Sequence, residues 1–235
     1  MLFHDFQFKG KLASEMGVIV QTQAEYIRPA KRVITYTVPG RAGMLTQDEG
    51  EEAYDPVQMS PVCYLSPGAD CDVVGDWLDG SGELVLGSMP DYAYEAQVIN
   101  QIPFSRIFQG RGGYMTFTPI FQCQPFRRLA QEPADLVFTT AGTLTNPGNV
   151  SARPLIRVEA SGDVVLQVGM EVVLTNLDGG ILIDAQMEDC LNLEGSLLMN
   201  DRLIGDFPLI PPGTWPVKWT GNVSRVTITP RWRYR

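Results

Sequence analysis

Asn146-Pro147-Gly148-Asn149-Val150-Ser151-Ala152-Arg153-Pro154 opens the stretch that decides the fold, and Gly205-Asp206-Phe207-Pro208-Leu209-Ile210-Pro211-Pro212-Gly213 closes it. Proline fixes φ and glycine accepts positive φ, so Asn146-Pro147-Gly148 predicts a turn. Four runs separated by Gly, Asn and Asp predict strands: Asp163–Val168, Glu171–Thr175, Ile181–Glu188 and Val223–Tyr234. Short strands at this spacing are typical of a β-sandwich. The stretch therefore predicts two all-β units, residues 1–145 and residues 146–235.

The composition is that of a globular chain, with 235 residues, 44% of them hydrophobic, and a formal net charge of -9. This length allows one large or two small cores. No run approaches the ~20 apolar residues of a membrane helix, and Met1-Leu2-Phe3-His4-Asp5 lacks the pattern of a signal peptide. We therefore expect a protein made in a cytoplasm, with no membrane partner. Because negative charge repels phosphates, we do not expect tight binding to nucleic acid.

The first half of the chain predicts several short strands. Phe6-Gln7-Phe8 and Gly17-Val18-Ile19-Val20 predict a pair of opening strands. Arg32–Val38 has the alternation of a half-buried strand, and Pro39-Gly40-Arg41-Ala42-Gly43 predicts a tight turn after it. Further strands are predicted at Glu83–Leu86, Tyr92–Asn100 and Tyr114–Phe121. We interpret residues 124–145 as a connector arm.

One helix is predicted near Asp70–Leu78. Its apolar residues fall on one face of a 3.6-residue period. They are Val73, Val74, Trp77 and Leu78. Asp70 and Asp72 lie where a carboxylate accepts free backbone N–H groups at a helix start. Gly80 lies where a left-handed C-terminal cap is expected.

The last predicted strand, Val223–Tyr234, has two chemically different faces. The apolar face holds Val226, Ile228, Trp232 and Tyr234. The opposite face holds Arg225, Thr227, Thr229, Arg231, Arg233 and Arg235. The pattern predicts one core face and one cationic face, and Pro230 indicates an edge position or a bulge.

No set of residues predicts catalysis, a cofactor or a metal site. Cys63, Cys71, Cys123 and Cys190 are the four thiols, and none forms a Cys-x-x-Cys pair. His4 is the single histidine and lies close to the N-terminus, so neither a zinc site nor a His-based catalytic triad is predicted. We interpret the cysteines as isolated buried or half-buried thiols. The chain is predicted not to be an enzyme, with no catalytic, cofactor-binding or metal-ligating residue.

Three weaker patterns were weighed against simpler interpretations. Gly110-Arg111-Gly112-Gly113 lacks the Gly-Lys-Ser/Thr ending of a phosphate loop and precedes a strand, which favours a β-turn. The acidic loop Asp48-Glu49-Gly50-Glu51-Glu52 lacks the alternating ligands of a calcium loop, which favours a solvated loop. A glycosidase-type carboxylate pair among the 27 acidic residues stays open, because only geometry identifies such a pair.

Several motifs, in a fixed order along the chain, carry a resemblance to a known family. They are Phe6–Gly10, Met16-Gly17-Val18, Pro39–Gly43, Trp77–Leu84, Phe121–Pro125, Asn146-Pro147-Gly148 with Ala152-Arg153-Pro154, and Gly205–Pro208 with Pro212-Gly213. In their order and spacing, the chain resembles the distal tail proteins of long-tailed phages with non-contractile tails. These proteins form the hub that joins the tail tube to the tip or baseplate. The resemblance covers nearly the whole chain.

The resemblance implies a mainly β fold class with two domains. Residues 1–145 would form a β-rich, ring-forming domain with one short helix and a connector arm. Residues 146–235 would form a galectin-like β-sandwich on the outside of the ring. Members of the family have no catalytic residues, so the resemblance transfers none. The chain has no room for an inserted carbohydrate-binding module.

The implied function is that of a structural virion protein, a hexameric tail hub with a channel for genome passage. The implied partners are copies of the chain in one ring or two stacked rings, the tail tube protein, and tip, fibre or receptor-binding proteins. DNA would pass through without tight binding. The protein would lie at the tail tip of the virion after assembly in the cytoplasm of the host bacterium. Asp48, Glu49, Glu51 and Glu52 would face the lumen or the ring surface, or keep an outer loop solvated.

Three tryptophans leave an alternative function open. Trp215, Trp219 and Trp232 have the ring type that stacks on sugars, although packing in a core or interface is the favoured interpretation. The alternative is a carbohydrate-binding β-sandwich module for adsorption to the host surface.

Overall fold

A computed structural model describes residues 4–109 and 112–235 of the chain. The structure is mainly β, which confirms the predicted fold class, and its sheets are built from antiparallel pairs. The described residues contain one α-helix, as predicted. Within these residues, no helix has the length and apolar character that crossing a membrane requires.

The chain forms two compact units. The first extends to Ala130 and also includes Arg235, and the second comprises Gln131–Tyr234. Residues 131–145, which the sequence suggests are part of a connector, supply two strands to the second unit. The division into residues 1–145 and residues 146–235, which comes from the sequence, stays a prediction about the functional domains.

The first unit contains thirteen strands and the helix, all short. They are β1 (Phe6–Phe8), β2 (Lys11–Leu12), β3 (Val18–Thr22), β4 (Val33–Thr37), β5 (Met44–Asp48), β6 (Val57–Met59), β7 (Val62–Leu65), α1 (Cys71–Leu78), β8 (Ser81–Leu86), β9 (Tyr92–Val98), β10 (Ser105–Gln109), β11 (Gly112–Phe117), β12 (Phe121–Cys123) and β13 (Arg127–Leu129). One sheet has the order β2-β1-β8-β9-β12-β6, and β13 also pairs with β9. A second sheet has the order β10-β11-β7-β3, and β4 pairs with β5 alone.

The helix α1 begins and ends where its local sequence predicts. The Asp70 side chain accepts a hydrogen bond from the backbone N–H of Asp72 at 2.9 Å, and Gly80 has a φ of 77°, as a left-handed cap requires. Val74, Trp77 and Leu78 are buried, as predicted. Val73 is 54% exposed, so its placement on the buried face is wrong. The buried face of this eight-residue helix comprises Val74, Trp77 and Leu78.

An aromatic cluster forms the core of the first unit. The Phe6 and Trp77 rings stack with their centroids 5.7 Å apart, and the Phe8 ring meets the Phe121 ring edge-on at 5.1 Å. The indole N–H of Trp77 donates to the backbone carbonyl oxygen of Phe8 at 2.9 Å. A buried indole N–H needs such a partner. The cluster therefore fixes α1 against β1 by both packing and a hydrogen bond.

The second unit is built around two long strands. Its elements are β14 (Leu136–Phe138), β15 (Gly142–Asn146), β16 (Leu155–Val168), β17 (Met170–Leu177), β18 (Ile181–Asp184), β19 (Asp189–Leu191), a 3-10 turn (Asn200–Arg202), β20 (Leu203–Ile204), β21 (Gly213–Thr229) and β22 (Arg233–Tyr234). The sheet has the order β14-β21-β16-β17-β20, and β18 pairs with β16 and β19. β16 and β21 pair along nearly their whole lengths.

Each long strand changes partner halfway. The first half of β16 pairs with β18 and its second half pairs with β17, and the register shifts between Ser161 and Val165. Gly221 of β21 lies opposite this shift with a φ of 101°. A Cβ there would lie 2.4 Å from the Asp163 carbonyl oxygen. Bulges bend a strand, so glycine at this position lets the two strands bend together.

The turn at Asn146-Pro147-Gly148 is present, as predicted, but positive φ is not the reason that it contains glycine. Gly148 does not have a positive φ. A Cβ there would lie 2.3 Å from the backbone carbonyl oxygen of Arg233. The position therefore requires glycine because another strand of the second unit approaches it closely.

Four predicted strand arrangements are wrong in detail. β1 and β3 are strands, but they lie in different sheets and do not pair with each other. The run Tyr114–Phe121 is divided between β11 and β12, with Pro119 in the gap. The run Ile181–Glu188 is strand only as far as Asp184. The final strand begins ten residues earlier than predicted, at Gly213, and is interrupted after Thr229, beside Pro230.

Candidate functional site

The hairpin of β4 and β5 is exposed to solvent along its whole length. Every residue of both strands is exposed, and neither strand pairs with another part of the described chain. Arg32–Val38 therefore contains a strand, as predicted, but the predicted half-burial is wrong. An isolated two-stranded hairpin is marginally stable in water. Its conformation depends on its turn, on its base and on whatever covers it.

The turn of the hairpin matches its sequence. The backbone N–H of Arg41 donates to the carbonyl oxygen of Val38 at 3.1 Å, which closes a four-residue turn. Pro39 occupies the second position, and Gly40 occupies the third with a φ of 78°. This is the pattern of a type II turn, in which the third residue needs positive φ. The predicted tight turn is confirmed.

The two faces of the hairpin differ in chemistry. Residues directly opposite each other share a face, and the register places Tyr36 opposite Leu45 and Ile34 opposite Gln47. This face therefore exposes three large apolar side chains. The other face has Thr35 opposite Thr46 at its centre. The other face also exposes Val33 and Met44, but its remaining side chains are polar, so the first face is the more apolar of the two.

Ion pairs and backbone hydrogen bonds hold the base of the hairpin. Lys31 pairs with Asp48, and the Arg32 guanidinium lies 3.7 Å from a Glu49 carboxylate oxygen and 3.8 Å from one of Asp55. The hydrogen bond with Asp48 raises the pKa of Lys31, which keeps the amine charged. These pairs are exposed, so each contributes little stability by itself. Together they fix the direction in which the hairpin leaves the unit.

The acidic loop at residues 48–52 is therefore partly neutralised. Asp48 and Glu49 each have a cationic partner, and Glu51 is exposed. In the described part of the chain, three ligand-type side chains come together only at Asp70, Cys71 and Asp72. The Asp70 side chain caps α1, which gives this residue a structural role in the helix.

A groove opens on the sheet of β10, β11, β7 and β3. Its volume is about 570 Å³, and its lining includes Tyr64, Arg106, Phe108 and Tyr114. The Tyr64 and Tyr114 rings meet edge-on, with centroids 5.8 Å apart. Phe108 is 76% exposed. None of the lining residues is acidic, so the groove combines aromatic surface with the positive charge of Arg106.

The residues considered for catalysis do not form a site. His4 is exposed. Cys63, Cys123 and Cys190 are buried, and burial raises the pKa of each thiol to about 12, which disfavours the reactive thiolate. Cys71 is half-buried in the first turn of α1. The loop Gly110-Arg111-Gly112-Gly113 lies partly outside the described residues, at 110 and 111.

The tryptophans considered for sugar binding are at least partly packed. Trp232 is buried, so its faces are not open to a sugar ring. Trp215 and Trp219 are half-buried, on the same face of β21 as the buried Val217. The indole N–H of Trp215 donates to the carbonyl oxygen of Pro211 at 2.9 Å. This arrangement agrees with the packing interpretation.

The predicted cationic face near the C-terminus is wrong, because Arg231 and Arg233 have partners within the second unit. Arg231 makes a two-bond ion pair with Asp184, at 2.6 and 3.1 Å. Arg233 donates to the backbone carbonyl oxygen of Ser151. Arg231 also has a φ of 50°, which takes the chain out of the strand and breaks the alternation. The alternation of residues along the strand could not predict Asp184 and Ser151 as partners, because both lie far from these arginines in the sequence.

Comparison with solved structures is informative about the fold. No protein-family model matches the chain, and no curated protein matches its sequence. Among solved structures, the chain is similar to the Dit protein of phage SPP1, with a TM-score of 0.69 and 16% sequence identity. The match covers 95% of this chain and 97% of the Dit chain. That protein is described as a paradigm of the hub adsorption apparatus in phages that infect Gram-positive bacteria. The likeness confirms, at the level of the fold, the resemblance seen in the sequence motifs.

Proposed function

We propose that the protein is a structural component of a phage tail, a hub of the adsorption apparatus. The observation that carries the proposal is the extent of the fold likeness to SPP1 Dit, which includes 95% of this chain and 97% of that one. A fold alone does not define function. Here the likeness includes both units, and independent motifs in the sequence resemble the same family.

In this proposal, the hub is a hexameric ring. Residues 1–145 form the ring around a channel for the genome, and residues 146–235 form a galectin-like β-sandwich on the outside. Closed cyclic symmetry suits a protein that continues a tube. The exposed hairpin of β4 and β5 and the aromatic groove of the first unit support the proposal, because a ring needs extensive contact surface on each copy.

The work of such a hub is mechanical. One face of the ring receives the tail tube protein, and the other holds tip, fibre or receptor-binding proteins. DNA passes through the channel without tight binding, which the net charge of -9 favours. The protein is not an enzyme in this proposal. It lies at the tail tip of the virion after assembly in the host cytoplasm.

Negative-stain electron microscopy of the purified full-length protein tests this function. We expect rings with six-fold symmetry and a central hole, in one layer or two. Mixing the rings with tail tube protein should place them at one end of assembled tubes. If the purified protein forms only particles without a central hole, even at protein concentrations well above those of a virion preparation, the proposal is contradicted.

A further inference from the structure

Beyond its base, the arm of the first unit, defined as residues 32–51, pairs with no other strand of the described residues. All of its residues are exposed. Its more apolar face carries Ile34, Tyr36 and Leu45, each at least 40% exposed. The two outer edges of the hairpin are also unpaired. Such an element is stable and soluble when another surface covers it.

We propose that the arm of one copy docks on the groove of the first unit in a second copy. The groove is the one lined by Tyr64, Arg106, Phe108 and Tyr114. The proposal rests on the function proposed above and names the contact that would join the copies. Arm and groove are different surfaces of one chain, so the contact is head-to-tail.

The chemistry of the two surfaces is complementary. Aliphatic and aromatic side chains of the arm would meet the exposed rings of Phe108 and Tyr114, the residue types enriched at interface centres. The four strands of the groove sheet contain Arg106 and no acidic residue. The arm ends in Glu49 and Glu51. Asp48, Glu49 and Glu51 outnumber Arg32 and Arg41, so the arm has a net charge of -1 and the positively charged groove of a second copy does not repel it.

The size of the arm also fits an interface between copies. A specific interface typically uses about 20–30 residues on each side. The exposed run from 32 to 51 approaches that size by itself. The ion pairs of Lys31 and Arg32 hold the base of the arm, so the orientation of the arm is already fixed before it docks. A preorganised arm loses less entropy on docking.

A head-to-tail contact generates a ring when the rotation between copies closes. Each copy in the ring would give one arm and receive one. The contact therefore makes a specific prediction. A variant of the arm and a variant of the groove should be defective on opposite sides of the same interface.

Sedimentation and light scattering on full-length variants test the contact. The arm variant is Ile34→Ser with Tyr36→Ser and Leu45→Ser, and the groove variant is Arg106→Glu with Phe108→Ser. The matched control is Thr35→Ser with Thr46→Ser, on the opposite face of the same hairpin. We expect self-association of the arm and groove variants to weaken by about 30-fold or more, as loss of central interface side chains does. The control should associate like the unchanged protein, and circular dichroism should show all variants folded.

Mixing the two defective variants is the decisive measurement. The arm of the groove variant and the groove of the arm variant are both intact, so an equimolar mixture should form heterodimers and no larger species. If the copies instead met arm to arm, the groove variant would associate with itself like the unchanged protein, and the arm variant would stay monomeric in the mixture. That result would overturn the head-to-tail contact.

The remaining outcomes separate this inference from the proposed function. Rings that persist unchanged in both variants would overturn the arm contact and leave the ring hub standing. If the unchanged protein forms oligomers without a central hole, and the variants do not form these oligomers, the contact stands and the ring is overturned. An unchanged protein that stays monomeric at all concentrations would overturn both.

Discussion

Asn146 donates its side-chain amide to the backbone carbonyl oxygen of Ile210 at 2.8 Å, across 64 positions of sequence. The same amide donates to the Val150 carbonyl oxygen at 3.1 Å, and its own oxygen accepts from the backbone N–H of Gly148 at 2.8 Å. Asn146 is buried. One side chain therefore joins the two segments of sequence that decide the fold.

Removing this amide should destabilise the second unit. Asn146→Ala removes three hydrogen bonds of a buried side chain, although the Ile210 carbonyl oxygen keeps the backbone N–H of Ala152 as a donor, and should cost about 1–3 kcal/mol. Urea unfolding followed by circular dichroism measures the loss. Asn222→Ala, which removes an exposed amide bonded to Ser161, is the control and should change stability by less than about 0.5 kcal/mol. Equal effects of the two variants would mean that the Asn146 contacts add nothing.

Trp77 should be a major source of stability in the first unit. Trp77→Ala removes a large buried side chain from the aromatic cluster and should cost about 3–5 kcal/mol. Trp77→Phe retains a ring but loses the N–H that donates to Phe8, so it should cost about 1–3 kcal/mol. Thermal unfolding of both variants checks the order. An unchanged melting curve for Trp77→Ala would contradict the packing of α1.

The four thiols should differ sharply in reactivity. Cys63, Cys123 and Cys190 are buried with pKa values of about 12, whereas Cys71 is half-exposed. A thiol reagent at pH 8 should therefore modify one cysteine quickly and three only on unfolding. Cys71→Ser should abolish the fast reaction. A second fast thiol in that variant would show that one of the buried sites opens readily.

The ion pair between Asp184 and Arg231 should make stability sensitive to acid. Burial by itself raises the pKa of Asp184, but hydrogen bonds from Arg231 and from the backbone of Met187 outweigh burial and hold the pKa below 3.8. This stability is present above pH 3.8 and is lost as the pH falls through the lower pKa of the folded protein.

Asp184→Asn removes the charge and retains the size of the side chain. The change should cost about 1.5–3 kcal/mol at pH 7, as loss of hydrogen bonds to a charged group does, and less near pH 3. Chemical unfolding at both pH values measures the difference. A cost that does not change with pH would show that the carboxylate charge is irrelevant to the pair.

The acidic loop next to the arm should influence passage of DNA if it faces the channel of the proposed ring. Asp48 and Glu49 hold the base of the arm through their cationic partners, so they are left in place and Glu51 and Glu52 are changed. Changing both to Lys should cause DNA retention at low salt that fades as salt rises. Asp178→Lys with Glu194→Lys, in the second unit, is the control for added charge. A ring structure with the loop on its outer rim would end the channel hypothesis.

The accuracy of the sequence-based expectations follows the range of the interactions involved. The helix α1 was predictable because Asp70, Trp77 and Gly80 act within a few positions of one another. The turn at Pro39 and Gly40 was predictable for the same reason. Strand existence was also largely predictable, because alternation is local. The pairing of β1 with β8 and not with β3 was not, since it depends on contacts across some 80 positions.

By itself, the sequence determined the mainly β class, the one helix, the turns and the absence of any motif for catalysis. Those features depend on backbone preferences and on short-range periodicity. The tertiary structure alone decided that β4 and β5 stand exposed, that Gly148 admits the chain at Arg233, and that Arg231 belongs to Asp184. Alternation shows that a strand has two faces, but burial depends on which other surface comes to cover each one. For Ile34, Tyr36 and Leu45 of the arm, no surface among the described residues of the chain does.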